Sequence, residues 1–490
     1  MAPSRAVPVS LMIAVGLWIA LAGVALALLL HDDDPPQDAH LRPQRDTVAE
    51  DENAFPLFEQ AAAALSLPGK DPAYTSTKGM TTEEQDREDR PPTEEDLYWS
   101  MKDGKAWDDA LAAKVLARNA EALAQWQEGM ARPRLQMPEV RTFDDKWSYV
   151  QAWFALADLL NFVGEARRKA GDVDGVLDLA VQMMRFGHRI QADANCLDTW
   201  YAGEHVREMG RTRVMDVARE HPLPADRLRA LAADVAPYAP SAGLANAYRG
   251  EYVMSADLVD QCHSGEMTPC SLTDAYHTPS PFERFLWRIV QPPVFKPNRT
   301  KRLFAQRLGP MIETAGRPYK DVPRHDWEAR KGDIITLIGS GNAVGRFLAI
   351  VSSRPAYVYT SAELRCAADL EHAAARLRLA ARAYELEKGR PPPSLEALVP
   401  GYLDAVPADP FDGKPLRYDP ARRLVWSVGK DLVDEGADFT FEALLAEKRK
   451  ERGLECRDDD PESWDEDEHL FFRRDLPDPS YSLDIRAPFP

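Results

Sequence analysis

The residues best placed to do chemistry in this chain lie near its C-terminal end. Asp431, Asp434 and Asp438 stand three and four residues apart around Gly436. Carboxylates at that spacing around a glycine turn can converge on Ca²⁺, which takes about six to eight oxygens, backbone carbonyls included. The plain alternative is an acidic turn after an edge strand, because three carboxylates alone do not complete such a shell. Calcium is the one cofactor the residues suggest. Cys262 and Cys270 enclose a polar loop holding Gly265 and Pro269. In an oxidising compartment a local disulfide would close it. Cys196, Cys366 and Cys456 complete the five cysteines, and no two form a CxxC pair of the zinc-binding type.

Other motifs fail their context tests. Ile334–Ile338 precedes Gly339, Gly341 and Gly345, a GxGxxxG spacing. A dinucleotide site needs the tighter GxGxxG, alternating strands and helices, and an acid about 20 residues on. Here the surroundings have helical periodicity and Pro355 interrupts them, so no nucleotide partner is expected. The ten histidines include no HExxH pair. Glu204-His205 reads as a packing or surface pair within a helix. No GxSxG elbow or P-loop occurs. The segment Arg457–His469, with Asp458–Asp460 and Asp465–Glu468, is acidic but has no glycine to fix a loop. No catalytic set assembles, so an enzyme is not the first expectation.

Charge narrows the partners. The 490-residue chain carries a net charge of −19, and 13 acids against five bases fall after Lys450. Phosphate binding needs clustered Lys and Arg, so nucleic acid is not expected as a partner. An apolar share of 44% is ordinary for a chain with a packed core.

The elements that would position these residues are mostly helices. Apolar periodicity marks a short helix after Asn53 and a segment from Glu94 to Met130 broken near Gly104. The segment from Asp144 to Ala170 carries Trp147, Val150, Trp153, Phe154, Ala157 and Leu160 on one face. Gly171-Asp172 then stops one helix and caps the next, Val173–Ile190, which makes an antiparallel hairpin. Further helices are expected over 197–219, 224–235, 242–259, 281–290 and 301–315. Ser361–Lys388 is the clearest of all, ended by Gly389 and Pro391-Pro392-Pro393. Leu416–Tyr418 and Leu424–Val428 alternate with period two and predict a β-hairpin. No clean repeat appears, so a helical solenoid remains only an alternative.

Ala6–Leu30 is a run of 25 residues without a charge. About 20 apolar residues span a bilayer. Arg5 precedes the run and His31-Asp32-Asp33-Asp34 follows it, which by the positive-inside rule keeps the amino terminus cytoplasmic. A cleaved signal peptide is the rival reading, but its apolar region is usually shorter.

Residues 363–438 resemble the C-terminal part of type II secretion major pseudopilins. The matching residues are Gly389, Arg390, Pro392, Ser394, Leu395, Leu398, Pro407, Asp409, Pro410, Phe411, Pro415, Tyr418, Ser427, Gly429 and Asp431. That family's calcium loop would fall on Asp431, Asp434 and Asp438, with Leu432 where a glycine is usual. Ala6–Leu30 lacks the family's leader and its glutamate. The whole chain is similar to a group of uncharacterised bacterial membrane-anchored envelope proteins that share Glu52–Leu57, a Gly171-Asp172 hairpin and Asn342–Arg346.

These readings predict a mainly α protein. A transmembrane anchor (1–30) and flexible stalk (31–52) lead to a helical-hairpin body (53–352). A small α+β module (359–440) and an acidic disordered tail (453–490) follow. The expected location is a bacterial inner membrane, single pass, with the bulk facing the periplasm. The expected role is a structural or protein-interaction protein with an envelope partner. The alternatives are a calcium-stabilised binding module related to secretion machinery, or an envelope hydrolase whose carboxylates the sequence does not place.

Overall fold

The computed structural model describes residues 18, 23, 30–75, 91–102, 104–142, 147–240, 242–268, 278–323, 341–351, 355–437 and 480–484. Thirteen α-helices and one three-stranded sheet lie among them. The helices are α1 (Phe55–Ala63), α2 (Glu94–Lys102), α3 (Asp109–Arg118), α4 (Ala120–Ala131), α5 (Trp147–Lys169), α6 (Val173–Ala192) and α7 (Leu197–Glu220). They continue as α8 (Ala225–Val235), α9 (Leu244–Ser264), α10 (Pro281–Val294), α11 (Pro297–Thr314), α12 (Ala343–Val351) and α13 (Pro355–Lys388).

The first core is aromatic. Phe55 and Phe58 of α1 meet Trp153 of α5, Trp126 of α4 and Phe186 of α6 in a buried cluster. Phe58 and Phe186 are 4.7 Å apart edge to face, and Trp153 lies 5.7 Å from Phe186. Edge-to-face contacts suit the ring quadrupoles. Asn53 sets α1 in place: its side chain donates to the Gln136 carbonyl at 3.0 Å and accepts from the Gln136 amide at 2.8 Å. The segment Glu94–Met130 breaks twice, at Gly104 and again at Asn119. Buried Asn119 donates to the Ser66 and Val115 carbonyls and accepts from the Ser66 amide.

The predicted hairpin forms as α5 and α6, joined at Gly171-Asp172. Asp172 caps α6 by accepting from the Gly175 amide at 3.0 Å. α6 and α7 in turn touch backbone to backbone at Gly187 and Gly203. A Cβ on Gly203 would stand 2.7 Å from the Gly187 carbonyl oxygen, nearer than any real side-chain carbon stands. A second core joins α9, α11 and α12, where buried Asn342 accepts from the Lys296 amide at 2.8 Å and bonds Thr300. Asn342–Arg346 thus serves helix docking at the foot of α12. Gly339 and Ser340 lie outside the described residues.

α13 is buried on two faces. Leu370, Ala374, Leu377, Ala381 and Tyr384, the predicted stripe, cover the C-terminal sheet. Ala375, Leu379 and Ala383 cover α6, α7 and α8. A helix apolar on more than one side belongs in an interior. The predicted hairpin pairs β1 (Arg417–Asp419) with β2 (Leu424–Trp426). A third strand, β3 (Ser480–Ser482), pairs antiparallel with β2 from within the segment read as an acidic tail. Tyr481 and Leu483 are buried against α13's core, which explains why this piece orders.

Two parts of the predicted fold class change. The sheet has three strands rather than a two-stranded hairpin. Among the described residues no helix is long and apolar enough to cross a membrane. That finding overturns the transmembrane anchor and, with it, the single-pass inner-membrane location, the membrane and envelope partners, and the membrane-anchored structural role. Residues 6–30 lie outside the described residues, apart from Trp18, Gly23 and Leu30.

Candidate functional site

A cleft of about 260 Å³ opens between the end of α2 and the facing sides of α5 and α7. Met101 and Phe162, both buried, line it with apolar surface. Its other lining is ionic: Lys102 from α2, Asn161, Glu165 and Arg168 from α5, and Arg213, Asp216 and Glu220 from α7. The helical period explains the convergence. Asn161, Glu165 and Arg168 follow one another at four and three residues, and Arg213, Asp216 and Glu220 at three and four, so each trio shares a face. Gly104, left-handed at φ +72°, lets the chain turn away at the rim.

The cleft is electrically structured. Burial alone would raise the Glu165 carboxyl, but hydrogen bonds from Arg168 (2.7 Å) and Arg213 (2.9 Å) more than reverse it. Glu165 is therefore held ionised below the usual carboxylate range. Arg213 also donates to Asn161 Oδ1 at 2.7 Å. Asp216 behaves oppositely: burial pushes its carboxyl up, Arg219 and Arg213 pull it back only in part, and Glu220 adds to the push. Two carboxylates with opposed shifts thus share one hollow. Lys102 pairs with Asp158 at 2.7 Å and sits 4.7 Å over the Trp99 ring.

This arrangement does not make a hydrolase. Glu165 already accepts from two guanidinium groups, Asp216 from Arg219 at 2.9 Å, and Glu220 from Arg168 at 3.4 Å. A general base needs an acceptor aimed at a substrate proton. The envelope-hydrolase expectation is accordingly corrected. A larger, more open hollow of about 550 Å³ lies along residues 43–55 and 136–139. Its polar groups serve each other: Arg45 donates to the Met137 carbonyl at 2.6 Å and Gln136 to the Asp46 carbonyl at 2.7 Å.

The predicted acidic loop reads differently in three dimensions. The Asp434 carboxylate accepts from the Trp426 indole at 3.0 Å and the Arg417 guanidinium at 3.3 Å, and these hold it below its usual range. Asp431 accepts from the Val433 amide at 3.0 Å in a local turn. Asp438 lies outside the described residues. Among those residues no three His, Cys, Asp or Glu side chains group as a metal site. The cation here is Arg417, which also binds Asp409 and Asp412. Asp409 is fully buried and accepts from Ser427 Oγ at 2.7 Å and from the Val428 and Phe411 amides at 3.0 and 2.9 Å. The calcium-stabilised-module reading has no support from this geometry and is set aside. Cys262 is a buried free thiol, its pKa raised to about 12 by burial, and Cys270 lies outside the described residues.

Sequence reasoning missed the cleft. The signal was present as polar residues recurring at helical spacing on α5 and α7. What hid it was that the two trios lie some 50 residues apart and only helix packing joins them. Of the pair Glu204-His205, Glu204 bonds Arg207 and Gln191, while His205 packs edge to face on Phe154. No family model, no curated protein and no solved structure matches the chain. The resemblances to the pseudopilin C-terminal module and to the membrane-anchored envelope group are therefore not upheld, and the fold and the site stand on their own geometry.

Proposed function

We propose that this chain binds a small dipolar molecule, one carrying both an anionic and a cationic group, in the cleft between α2, α5 and α7. The observation that carries the reading is the pairing of Asp216, pushed up by burial, with the Glu165–Arg168–Arg213 cluster in one hollow. Both signs of charge line a space with an apolar floor. A ligand of one sign would compete with the existing pairs, whereas a dipolar one meets a carboxylate and a guanidinium together. Ligand pockets for drug-sized molecules are commonly some 300–1,000 Å³, so a hollow of about 260 Å³ suits a molecule of amino-acid size.

Thermal melting with L-glutamate, L-lysine and γ-aminobutyrate as probes tests this. A ligand that binds only the folded state raises the melting midpoint, by about 2.7 kcal/mol in stability at a hundredfold excess over Kd. The expected result is a rise with at least one dipolar probe, smaller rises with acetate or methylammonium, and loss of the effect in Arg213→Gln and Asp216→Asn. No rise with any dipolar probe, or an equal rise in both variants, overturns the reading.

A further inference from the structure

β3 reaches the sheet it completes from a distant part of the chain, since residues 438–479 lie between it and the rest of the C-terminal module. Its hold is small. Ser480 pairs with Trp426, Tyr481 with Val425 and Ser482 with Leu424. The Leu483 amide donates to the Arg423 carbonyl at 2.7 Å, and Arg378 donates to the Asp484 carbonyl at 2.8 Å. Two side chains, Tyr481 and Leu483, go into the core beside α13. Burying two side chains and forming a few backbone bonds is set against the entropy of ordering five residues, and the two are of similar size.

The surface beneath β3 needs its cover. Val425 of β2 is fully buried opposite Tyr481, and Arg378 of α13 is buried against the end of the strand. Stripped of β3, β2 would present an edge of unpaired N–H and C=O groups. The Tyr481 hydroxyl also lies near enough to interact with the buried Arg211 guanidinium. The acceptor therefore selects a strand with tyrosine and leucine at alternate positions and a carbonyl placed for Arg378.

We infer that this acceptor takes residues 480–484 of a second copy of the chain, so that each copy's strand completes the other's sheet in an exchanged dimer. The segment seen to fit is 480–484, and every copy carries it. Reciprocal exchange conserves each pairing, each buried side chain and each hydrogen bond of β3, so it costs association entropy and no contact. The separation along the chain permits it. About 40 residues can span up to about 140 Å, against about 51 Å for the whole of α13. The same tether sets the concentration range. It holds a copy's own strand at an effective concentration of about millimolar order at most, so exchange grows as the protein approaches that range.

The test traps the exchanged state covalently, in full chains carrying Cys270→Ser and Cys456→Ser. One chain adds Leu424→Cys and the other Ser482→Cys, positions that face each other across the β2–β3 pair. Directly opposed strand residues come close enough for a disulfide. Mixed at about 0.5 mM under mild oxidant, the two chains should cross-link at least about tenfold faster than Leu424→Cys mixed with Asp226→Cys, an exposed control position. Tyr481→Ser with Leu483→Ser in the Ser482→Cys chain should remove that excess. A cross-link no faster than the control overturns the inference, as does one that the two serines leave unchanged. Sedimentation of the unsubstituted chain reads the same state without cysteines. A dimer fraction that rises toward millimolar concentration is expected, and a monomer throughout overturns the inference.

Discussion

Phe58, Trp126, Trp153 and Phe186 fill one interior of this protein, and Arg207, Arg211, Glu371 and His372 fill another. The first lies among α1, α4, α5 and α6 and excludes water with ring surface. Each ring contributes area, and the indole N–H groups of Trp126 and Trp153 have no acceptor among the described residues, a cost the buried area outweighs. The second is the seam where α13 lies on α7. There Arg211 binds Glu371, Arg207 binds Glu204 at 3.0 Å, and Gln191 binds Glu204 at 2.9 Å. Arg365 binds Asp369 at 2.7 Å nearby. The aromatic core gains from every group it buries. The seam gains only while each charge keeps its partner, because isolated charges are costly to hold in an interior.

That difference can be broken most sharply at Glu371. Glu371→Gln leaves the buried Arg211 charge with only its longer contact to Glu208 at 3.7 Å and should lower stability by about 3 kcal/mol in urea unfolding. Replacing both members, Arg211→Met with Glu371→Leu, should recover most of that loss. If single and double variants lose equally, the seam is not organised by charge. Trp153→Ala should lose a similar amount, about 3–5 kcal/mol, by leaving a cavity. Here no second substitution of a contacting ring should restore it, and Phe186→Ala added to Trp153→Ala should deepen the loss.

Gly203→Ala comes next, at about 1–3 kcal/mol, since its methyl group must push α6 from α7 where the seam begins. A cysteine cross-link across α6 and α7 is not needed to read it; the urea midpoint suffices. The smallest effect is a pH slope. Burial first, then Arg207, Arg211 and Arg376, hold the His372 pKa well below its ordinary 6.5. Below that value the unfolded chain binds a proton that folded His372 refuses, so stability falls as pH drops, by at most about 1.4 kcal/mol per pH unit. His188, lowered mainly by burial, adds a slope of the same sign. Asp369, raised mainly by burial, works in the opposite sense above its ordinary 3.8. Melting between about pH 7 and pH 5 should therefore show a shallower acid loss in His372→Phe than in the parent. Equal slopes would place the titration elsewhere.

Much of the helical frame was legible before any coordinates. Gly171-Asp172 marked the turn into α6, and Gly389 with three prolines marked the end of α13. The stripes on α5, α6 and α13 are buried where periodicity put them, Val150, Trp153, Ala157 and Leu160 among them. The reason is local: caps, breakers and a 3.6-residue period act within a few turns of chain. The β-hairpin at Leu416–Val428 was legible for the same reason, through alternation and a polar break.

What stayed hidden depends on residues far apart in the chain. Asn119 breaks a helix because Ser66 offers it partners. The third strand exists because Tyr481 and Leu483 find α13, 100 residues back. Arg417 takes the centre of the acidic loop only after β1 brings it beside Asp409, Asp412 and Asp434. The cleft needs α5 and α7 side by side, and the exposed apolar stripe of α10, from Phe282 to Val290, needs Trp287 already fixed beneath it. The residue order, through caps and periodicity, set which segments are helices and which face of each is apolar. Packing set which charges meet and which apolar face stays in solvent, because Coulomb and hydrophobic energies depend on distances in space that no spacing along the chain fixes.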